Sequence, residues 1–309
     1  LCILFVCVYG EHYDWYQSFQ IRAATVIGIL ILALNLWRAS FIRHPFIALK
    51  TWTYRAVWFP FILYIVIDIL LAPSHLFEHI YMESILEYDA LNVISLNWAV
   101  LLGIIVGAGF TFFTFSRRKW RYKTMTVIAF SSITGYLMYF YFGIDYALPK
   151  ETLFVPLFLR SFGYVIIAIC FLTVLSRVPF QHFFQAVSVQ SFVSAGFGGA
   201  LGTAILGHAL NGAMKKNSML LGSVVDHVNP FISRIPVGEV YGAVQQQALM
   251  VSMKELYGWL TLMALFCLLA FLVYESDIRP YKVLHPTYRS IRRFVKHELR
   301  IDKKLEATA

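Results

Sequence analysis

Long apolar stretches separated by polar segments dominate the chain. Seven of them lie near residues 22–41, 56–75, 92–115, 124–143, 152–176, 187–213 and 256–275, and the apolar residues 1–9 form a partial eighth. A helix of about 20 apolar residues crosses the hydrocarbon core of a bilayer. The pattern therefore predicts an all-α fold, a polytopic bundle of transmembrane helices that uses the lipid bilayer as its solvent.

The composition agrees with lipid as the surroundings of the chain. Hydrophobic residues make up 59% and charged residues 14% of the sequence, whereas soluble domains carry about 25% charged residues. The net charge of +9 gathers at the ends of the apolar stretches, which argues against a nucleic-acid partner. The four cysteines all lie in apolar stretches and indicate neither a disulfide framework nor a metal site. The sequence also indicates no cofactor.

Basic residues fall on alternate polar segments and so give the chain an orientation. Most lysines and arginines lie in the segments 38–55, 116–123 and 177–186 and in the segment after Tyr274. The positive-inside rule places this set in the cytoplasm. We therefore expect an integral protein of the plasma membrane (in bacteria, the inner membrane) with a cytoplasmic C-terminus.

Two polar segments and the start of the chain complete the expected organisation. The segment 76–90 is predicted to be an outer loop, and so is 214–255, where Pro230, Pro236 and Gly238 indicate irregular structure. The chain starts within an apolar stretch and without methionine. We therefore expect it to be the C-terminal portion of a longer protein, with the missing N-terminal half as its partner.

Two ionisable residues lie inside the predicted spans, where a charge is costly and usually functional. Asp68 and Arg160 are each seven or eight residues from the outer end of their spans, so they are expected at a similar depth. The spacing predicts a pair across the bundle. Such a pair would either face a cavity and couple to a substrate or proton, or serve as a fixed ion pair that orients helices.

Other polar residues in or near the spans are weaker candidates for contact with a substrate. His208, near the outer end of its span, would titrate or bind substrate, or else be a hydrogen-bonded helix-end residue. Asn92, Asn97 and Gln190 would line a cavity or form hydrogen bonds between helices.

A short motif supports an alternative function. His75, Glu78 and His79 match the H-x-x-E-H pattern of some zinc peptidases, in which two histidines on one helix face hold a catalytic metal. The alternative is therefore an integral membrane metal-dependent enzyme that uses these residues, with His208 as a further ligand. No third ligand is evident next to the motif, so the motif is weak.

Glycines at four-residue spacing predict close helix packing. Gly103 and Gly107 form one G-x-x-x-G pair, and Gly198 and Gly202 form another, with Gly199 beside it. In lipid, small residues let two helix backbones approach closely, and this contact stabilises the helix pair.

Several segments together resemble the major facilitator superfamily, in its 14-span drug:proton antiporter branch. The run RHPFIALK at 43–50, continued by Arg55, is similar to the branch's "HPL-x-x-L…R" run, and YDALN at 88–92 resembles its "GYSALQAG" run. LFLRSFG at 157–163 is similar to "LLRGLG", and GGALGTAILG at 198–207 to "GGALGxAILG". The resemblance preserves order and spacing along nearly the whole chain.

The resemblance implies an organisation and a function. Residues 1–41 would be two linker helices, 42–55 a cytoplasmic loop, 56–275 the C-terminal six-helix bundle, and 276–309 a basic cytoplasmic tail. The family implies a secondary active transporter that exports apolar or amphipathic small molecules by alternating access, coupled to proton entry. A non-transporting receptor or scaffold on the same fold is a further alternative.

The cytoplasmic segment 116–123 departs from the family. It stands where the family has a "G-x-x-x-D-R-x-G-R-R" gating loop, and it keeps the bases Arg117, Arg118, Lys119 and Arg121 but lacks the acid and the glycines. The usual proton-carrying carboxylates of the family lie in its N-terminal half. The direction and coupling ion thus follow from the resemblance alone.

Overall fold

The structure, a computed structural model, describes residues 1–42, 55–176, 178, 180–224 and 236–273. Within these ranges the chain forms helices and no strands. The α-helices are α1 (Cys2–Tyr9), α2 (Phe19–Phe41), α3 (Arg55–Leu71), α4 (Phe77–Ile80), α5 (Ala90–Phe113), α6 (Tyr122–Gly143), α7 (Phe154–Leu175), α8 (Phe180–Phe192), α9 (Gly198–Val224) and α10 (Val237–Val273). The predicted all-α fold is confirmed.

Helical stretches long and apolar enough to span a membrane account for most of the described chain. The six of them are Phe19–Phe41, Pro60–Ile85, Ala90–Phe113, Tyr122–Gly143, Lys150–Leu175 and Val237–Val273. The chain thus has the helices of a polytopic membrane protein. The predicted span at 187–213 is not one of the six, and within it a π-helical segment, Val193–Phe197, lies between α8 and α9.

Two hydrogen bonds between distant parts of the chain define the two ends of the bundle. The Lys123 ammonium donates to the carbonyl oxygen of Leu272 at 2.6 Å, which joins the start of α6 to the end of α10. We name this the inner end. At the outer end, the Tyr81 hydroxyl donates to the carbonyl oxygen of Asp145 at 2.6 Å. The start of α6 and the end of α10, both predicted to lie next to cytoplasmic segments, therefore share an end, and which end faces the cytoplasm stays a prediction.

Gly103 and Gly107 bring α5 into backbone contact with α7, as predicted. A Cβ atom added at Gly103 would lie 2.7 Å from the carbonyl oxygen of Phe158, and one at Gly107 would lie 3.1 Å from that of Phe162. Both glycines are buried. Any side chain here would force the two helices apart.

The second glycine pair packs α9 against α3. A Cβ atom at Gly202 would lie 2.8 Å from the Cβ atom of Ala72, and one at Gly198 would overlap the carboxylate of Asp68. Both glycines thus lie at the contact between α9 and α3. Gly199 does not lie at this contact: an added Cβ atom would meet nothing within 4 Å, and the residue lines a cavity on the neighbouring side of α9.

The segment predicted as the outer loop 76–90 is largely helical. After α3 the chain makes a 3-10 turn at Ala72–Ser74, resumes as α4 and continues as a π-helical segment to Ile85. Pro73 lies in the 3-10 turn, where its ring and missing N–H interrupt the α-helical hydrogen bonds. The predicted loop was wrong because the polar residues of this segment lie between buried apolar ones, which hold it in the bundle.

The predicted irregular structure of 214–255 is wrong in its described parts. Helix α9 continues to Val224, and α10 already begins at Val237. Pro236 directly precedes α10, where its carbonyl accepts the backbone N–H groups of Glu239 and Val240 and its own missing donor does no harm. The side chain of Asn217 donates to the Ser252 hydroxyl at 2.9 Å, which joins the two helices.

The remaining predicted segments are partly described. Residues 1–41 contain the helices α1 and α2, whose role as linkers stays a prediction, and the apolar side chains of α2 lie almost entirely exposed, as on a lipid-facing helix. The loop 42–55 with its RHPFIALK run falls mainly on 43–54, and the basic tail 276–309 follows Val273. Both lie outside the described residues.

Candidate functional site

A cavity of about 570 Å³ lies between helices α3, α5, α7 and α9. Ser74 and His75, where the Pro60–Ile85 stretch is interrupted, form part of its wall. The wall residues are Asp68, Leu71, Ser74, His75, Val100, Ile104, Arg160, Ser161, Tyr164, Ser194, Gly199, Ala200 and Thr203. Apolar, hydroxyl-bearing and charged side chains therefore meet in one space, and the two predicted intramembrane charges both belong to it.

Asp68 contributes a carboxyl group without a partner. The residue is buried on α3, and its Oδ2 atom accepts no hydrogen bond from any residue that the structure describes. Gly198 on α9 faces this carboxylate, and only a residue without a side chain leaves room for it. An ionised carboxylate in such surroundings is costly unless a proton or a cation neutralises it.

Arg160 is paired with Glu78, which corrects the predicted pairing with Asp68. The guanidinium Nη1 of Arg160 donates to Glu78 Oε2 at 2.6 Å, and the Tyr136 hydroxyl donates to Glu78 Oε1 at 2.7 Å. The two charged side chains are 17% and 6% exposed. The prediction was wrong because the helix resumes after its interruption at 72–76 and carries Glu78 into the bundle.

Of the two predicted intramembrane charges at the cavity, Arg160 has a partner of opposite charge and Asp68 has none among the described residues. The charge of Arg160 is balanced by Glu78, and Glu78 is further held by Tyr136. Asp68 has no such balance among the described residues. A buried ion pair that loses one partner destabilises a protein by about 3–5 kcal/mol, so the Arg160–Glu78 pair is suited to hold helices in place, while Asp68 is suited to change its protonation or binding state.

Sequence reasoning missed Glu78 as a residue of the bundle interior. Its own surroundings carry the signal: Met82 and Ile85 follow it by four and seven residues, which is the spacing of one helix face. Both are buried, as is Phe77 next to it. Four acids within 76–90 suggested a solvated loop, and this outweighed the helical spacing.

The residues of the H-x-x-E-H motif do not converge on one point. His75 lies at the cavity, Glu78 binds Arg160, and the exposed His79 contacts Glu83 with 3.1 Å between Nε2 and Oε1. In the part of the chain that the structure describes, no three His, Cys, Asp or Glu side chains gather as metal ligands do. The ligand set predicted for the alternative enzyme, including His208, is therefore not assembled.

His208 lies away from the cavity in the interior of α9, since that helix continues to Val224, and it is hydrogen-bonded but not at a helix end as predicted. Its Nδ1 atom is 2.9 Å from Oε2 of Glu11 in the loop between α1 and α2. Trp15 Nε1 donates to the same oxygen at 2.9 Å, and Asn211 donates to Oε1 at 3.1 Å. The hydrogen bond from Trp15 and then those from His208 and Asn211 lower the pKa of Glu11 to about 2. This cluster ties the loop to α9.

The three predicted amide residues have different places. Asn92 lies at the outer end, where its Oδ1 atom accepts the Lys150 ammonium at 2.9 Å. Asn97 is exposed on α5, and its spacing to Val100 and Ile104 puts it on the cavity side of that helix. Gln190 is half-buried on α8 with an unpartnered Oε1 atom, and it does not line the cavity.

The predicted gating residues lie together at the inner end. Arg117 and Arg118 close a π-helical segment, Thr114–Arg118, that extends α5. Lys119 then adopts a left-handed conformation with φ 51°, which turns the chain towards Arg121 and the start of α6. All four side chains are exposed. Their role in gating stays a prediction.

Comparison with known proteins adds no relationship to these observations. No family model matches the chain, and no curated protein matches its sequence. The fold and the cavity define the class, a polytopic α-helical membrane protein. Its membership of the major facilitator superfamily stays a prediction.

Proposed function

We propose that the protein is a secondary active transporter that exports apolar or amphipathic small molecules by alternating access, coupled to protons. The observation that carries the proposal is the unpartnered carboxyl of Asp68 at a cavity between membrane-spanning helices. A group of this kind inside a membrane protein typically serves a substrate or proton pathway. The partners of the protein are therefore the lipid bilayer, a small molecule and protons.

The size and chemistry of the cavity support a small amphipathic substrate. Pockets for small molecules measure about 300–1,000 Å³, and this one measures about 570 Å³. Leu71, Val100 and Ile104 provide apolar wall, while Ser194 and Thr203 provide hydroxyl groups. An apolar small molecule with a few polar groups would therefore be complementary to both the apolar and the hydroxyl-bearing parts of the cavity wall.

The surroundings of Asp68 support coupling. Because the carboxylate has no partner among the described residues, either a proton or a cationic group of the substrate relieves its cost. If the two exclude each other, proton entry drives release of substrate. The interrupted helix at 72–76 and the close contact of α3 with α9 at Gly202 are features that transporters use where segments shift around a site.

The experiment is transport by the full-length protein in proteoliposomes with an imposed pH gradient. A panel of fluorescent amphipathic dyes serves as substrate, and Asp68→Asn removes the ionisable group while keeping its shape. Glu151→Gln, an exposed acid at the outer end, is the matched control. We expect Asp68→Asn to abolish gradient-driven transport and the control to keep it. Transport by Asp68→Asn with the wild-type pH dependence would show that the proposed role of Asp68 is wrong.

A further inference from the structure

The inner end of the bundle is basic and carries no acidic side chain among the residues that the structure describes. Of the described acids, Asp68 and Glu78 lie within the bundle. The others lie at or beyond the outer end: Glu11, Asp14, Glu83, Glu87, Asp89, Asp145, Glu151, Glu239 and Glu255. The exposed Arg117 and Arg118 therefore face a region without a described carboxylate, which makes the described part of this end attractive to an anion.

Helix length puts these two arginines at the level of lipid headgroups. The continuous helical segment from Ala90 to Arg117 is about 42 Å long at about 1.5 Å per residue. The hydrocarbon core of a bilayer is about 30 Å thick, and the bilayer with its headgroup regions is about 40–45 Å thick. With Ala90 at the outer surface, the guanidinium groups lie where the phosphates of the inner leaflet lie.

The surface of α5 below the arginines is apolar and exposed. Four large apolar side chains recur every seven residues, so they follow one face of the helix. They are Leu91, Trp98, Ile105 and Phe112, each more than half exposed. Phe113 ends the apolar part, and the guanidinium carbons of Arg117 and Arg118 lie 5.8 and 5.4 Å from its ring centre. This contact orders both side chains at the boundary between the apolar and the charged surface.

We propose that the inner end of α5 binds an anionic phospholipid, with its headgroup phosphate at Arg117 and Arg118 and its acyl chain along the apolar face of α5. The apolar face of α5 matches the acyl chain of such a lipid, and the two cations that follow it along the helix match the anionic headgroup. Guanidinium groups donate paired hydrogen bonds to phosphate oxygens. A basic residue near the surface strengthens binding to anionic lipid by roughly fivefold, so the pair contributes roughly 25-fold.

The test is lipid retention by the full-length protein, measured by native mass spectrometry. The protein in detergent is incubated with equal amounts of phosphatidylglycerol, which is anionic, and phosphatidylcholine, which is zwitterionic. We expect the wild type to retain phosphatidylglycerol preferentially and Arg117→Gln/Arg118→Gln to lose roughly 25-fold in its affinity. Lys215→Gln/Lys216→Gln removes the same charge from the outer end and should keep the wild-type preference.

Three results would overturn the proposal. They are equal retention of the two lipids by the wild type, unchanged preference in the arginine variant, and an equal loss in the lysine control. The first would indicate that the apolar face is covered without regard to charge, as by a protein helix. Inorganic phosphate provides a further arm: at matched ionic strength it should displace the lipid no better than chloride does. Stronger displacement would assign the site to free phosphate and refute a lipid site.

Two measurements keep the proposal testable if the double glutamine variant does not fold. Arg117→Lys/Arg118→Lys preserves both charges, and we expect it to keep a preference for phosphatidylglycerol, since most of the attraction is between charges. The wild type itself should lose the preference as salt rises, because salt screens exposed charges. A preference that is insensitive to salt, or is lost in the lysine variant, would contradict the proposal.

Discussion

The buried pair between Arg160 and Glu78 allows a quantitative test of how the bundle is held together. Glu78→Gln leaves the Arg160 guanidinium without its counter-charge in a site where the two side chains are 17% and 6% exposed. Breaking a buried pair by removing one partner costs about 3–5 kcal/mol. The amide of glutamine still accepts the Tyr136 hydroxyl, so the expected loss comes from the charge, and we expect the free energy of unfolding to fall by about 3 kcal/mol or more.

The assay is equilibrium unfolding of the purified protein in mixed micelles, with a double-mutant cycle. The variants are Glu78→Gln, Arg160→Gln and the combination of both. Because the combination removes both charges, it should be less destabilised than the sum of the two single variants by at least about 1 kcal/mol. The matched control is Lys216→Gln. Its exposed pair with Glu255, at 3.4 Å, should contribute less than about 1 kcal/mol.

The result that would refute this reasoning is additivity. If the losses of Glu78→Gln and Arg160→Gln add up in the double variant, the two charges do not act on each other. A loss in Glu78→Gln as small as that of the exposed control would also contradict the contact. Tyr136→Phe separates the hydrogen bond from the charge pair, and its loss should be about 1.5–3 kcal/mol, as for bonds to charged groups.

Two further predictions concern helix packing and acid. Gly103→Ala should destabilise the bundle by about 1–3 kcal/mol, because its Cβ atom would lie 2.7 Å from the Phe158 carbonyl oxygen. The control Gly109→Ala, whose Cβ atom would meet nothing within 4 Å, should be neutral or stabilising. Thermal unfolding of both variants checks this. The pKa of Glu11 is about 2 against an ordinary value of 4.5, so the hydrogen bonds of its carboxylate with Trp15, His208 and Asn211 stabilise the loop fully above pH 4.5 and this contribution is lost as the pH falls towards 2. Protection of the amides of the loop 10–18 against hydrogen exchange, measured relative to the intrinsic rate at each pH, should therefore fall in this range in the wild type and stay level in Glu11→Gln, and equal acid sensitivity in both would contradict it.

Fold class followed from the sequence because one physical requirement dominates a chain in lipid. Each backbone polar group in the hydrocarbon must be paired within its own helix, so an apolar stretch of sufficient length indicates a helix before any contact is known. The glycine pairs at 103 and 107 and at 198 and 202 were readable for a similar reason, since a small residue on a lipid-embedded helix permits backbone contact.

The outer segments were read wrongly where polarity and helical spacing disagreed. Glu78 lies among Met82, Ile85 and other buried residues, yet the acids around it suggested a solvated loop. In 214–255 the prolines suggested irregular structure, although Pro236 directly precedes α10 and accepts its first backbone hydrogen bonds. In both segments a local rule about residue type was outweighed by packing against helices distant in sequence.

The partner of each buried charge was decided by the tertiary structure alone. The sequence by itself determined that the chain is helical, that it is suited to a membrane, and that Asp68 and Arg160 lie in its interior. Whether these two residues form a pair depends on the direction of the helical segment after Pro73, because that segment places Glu78 next to Arg160. Pairing in space is set by angles and distances between helices, and those arise from the packing of many side chains at once, whereas the periodicity along one helix reports only which face is buried.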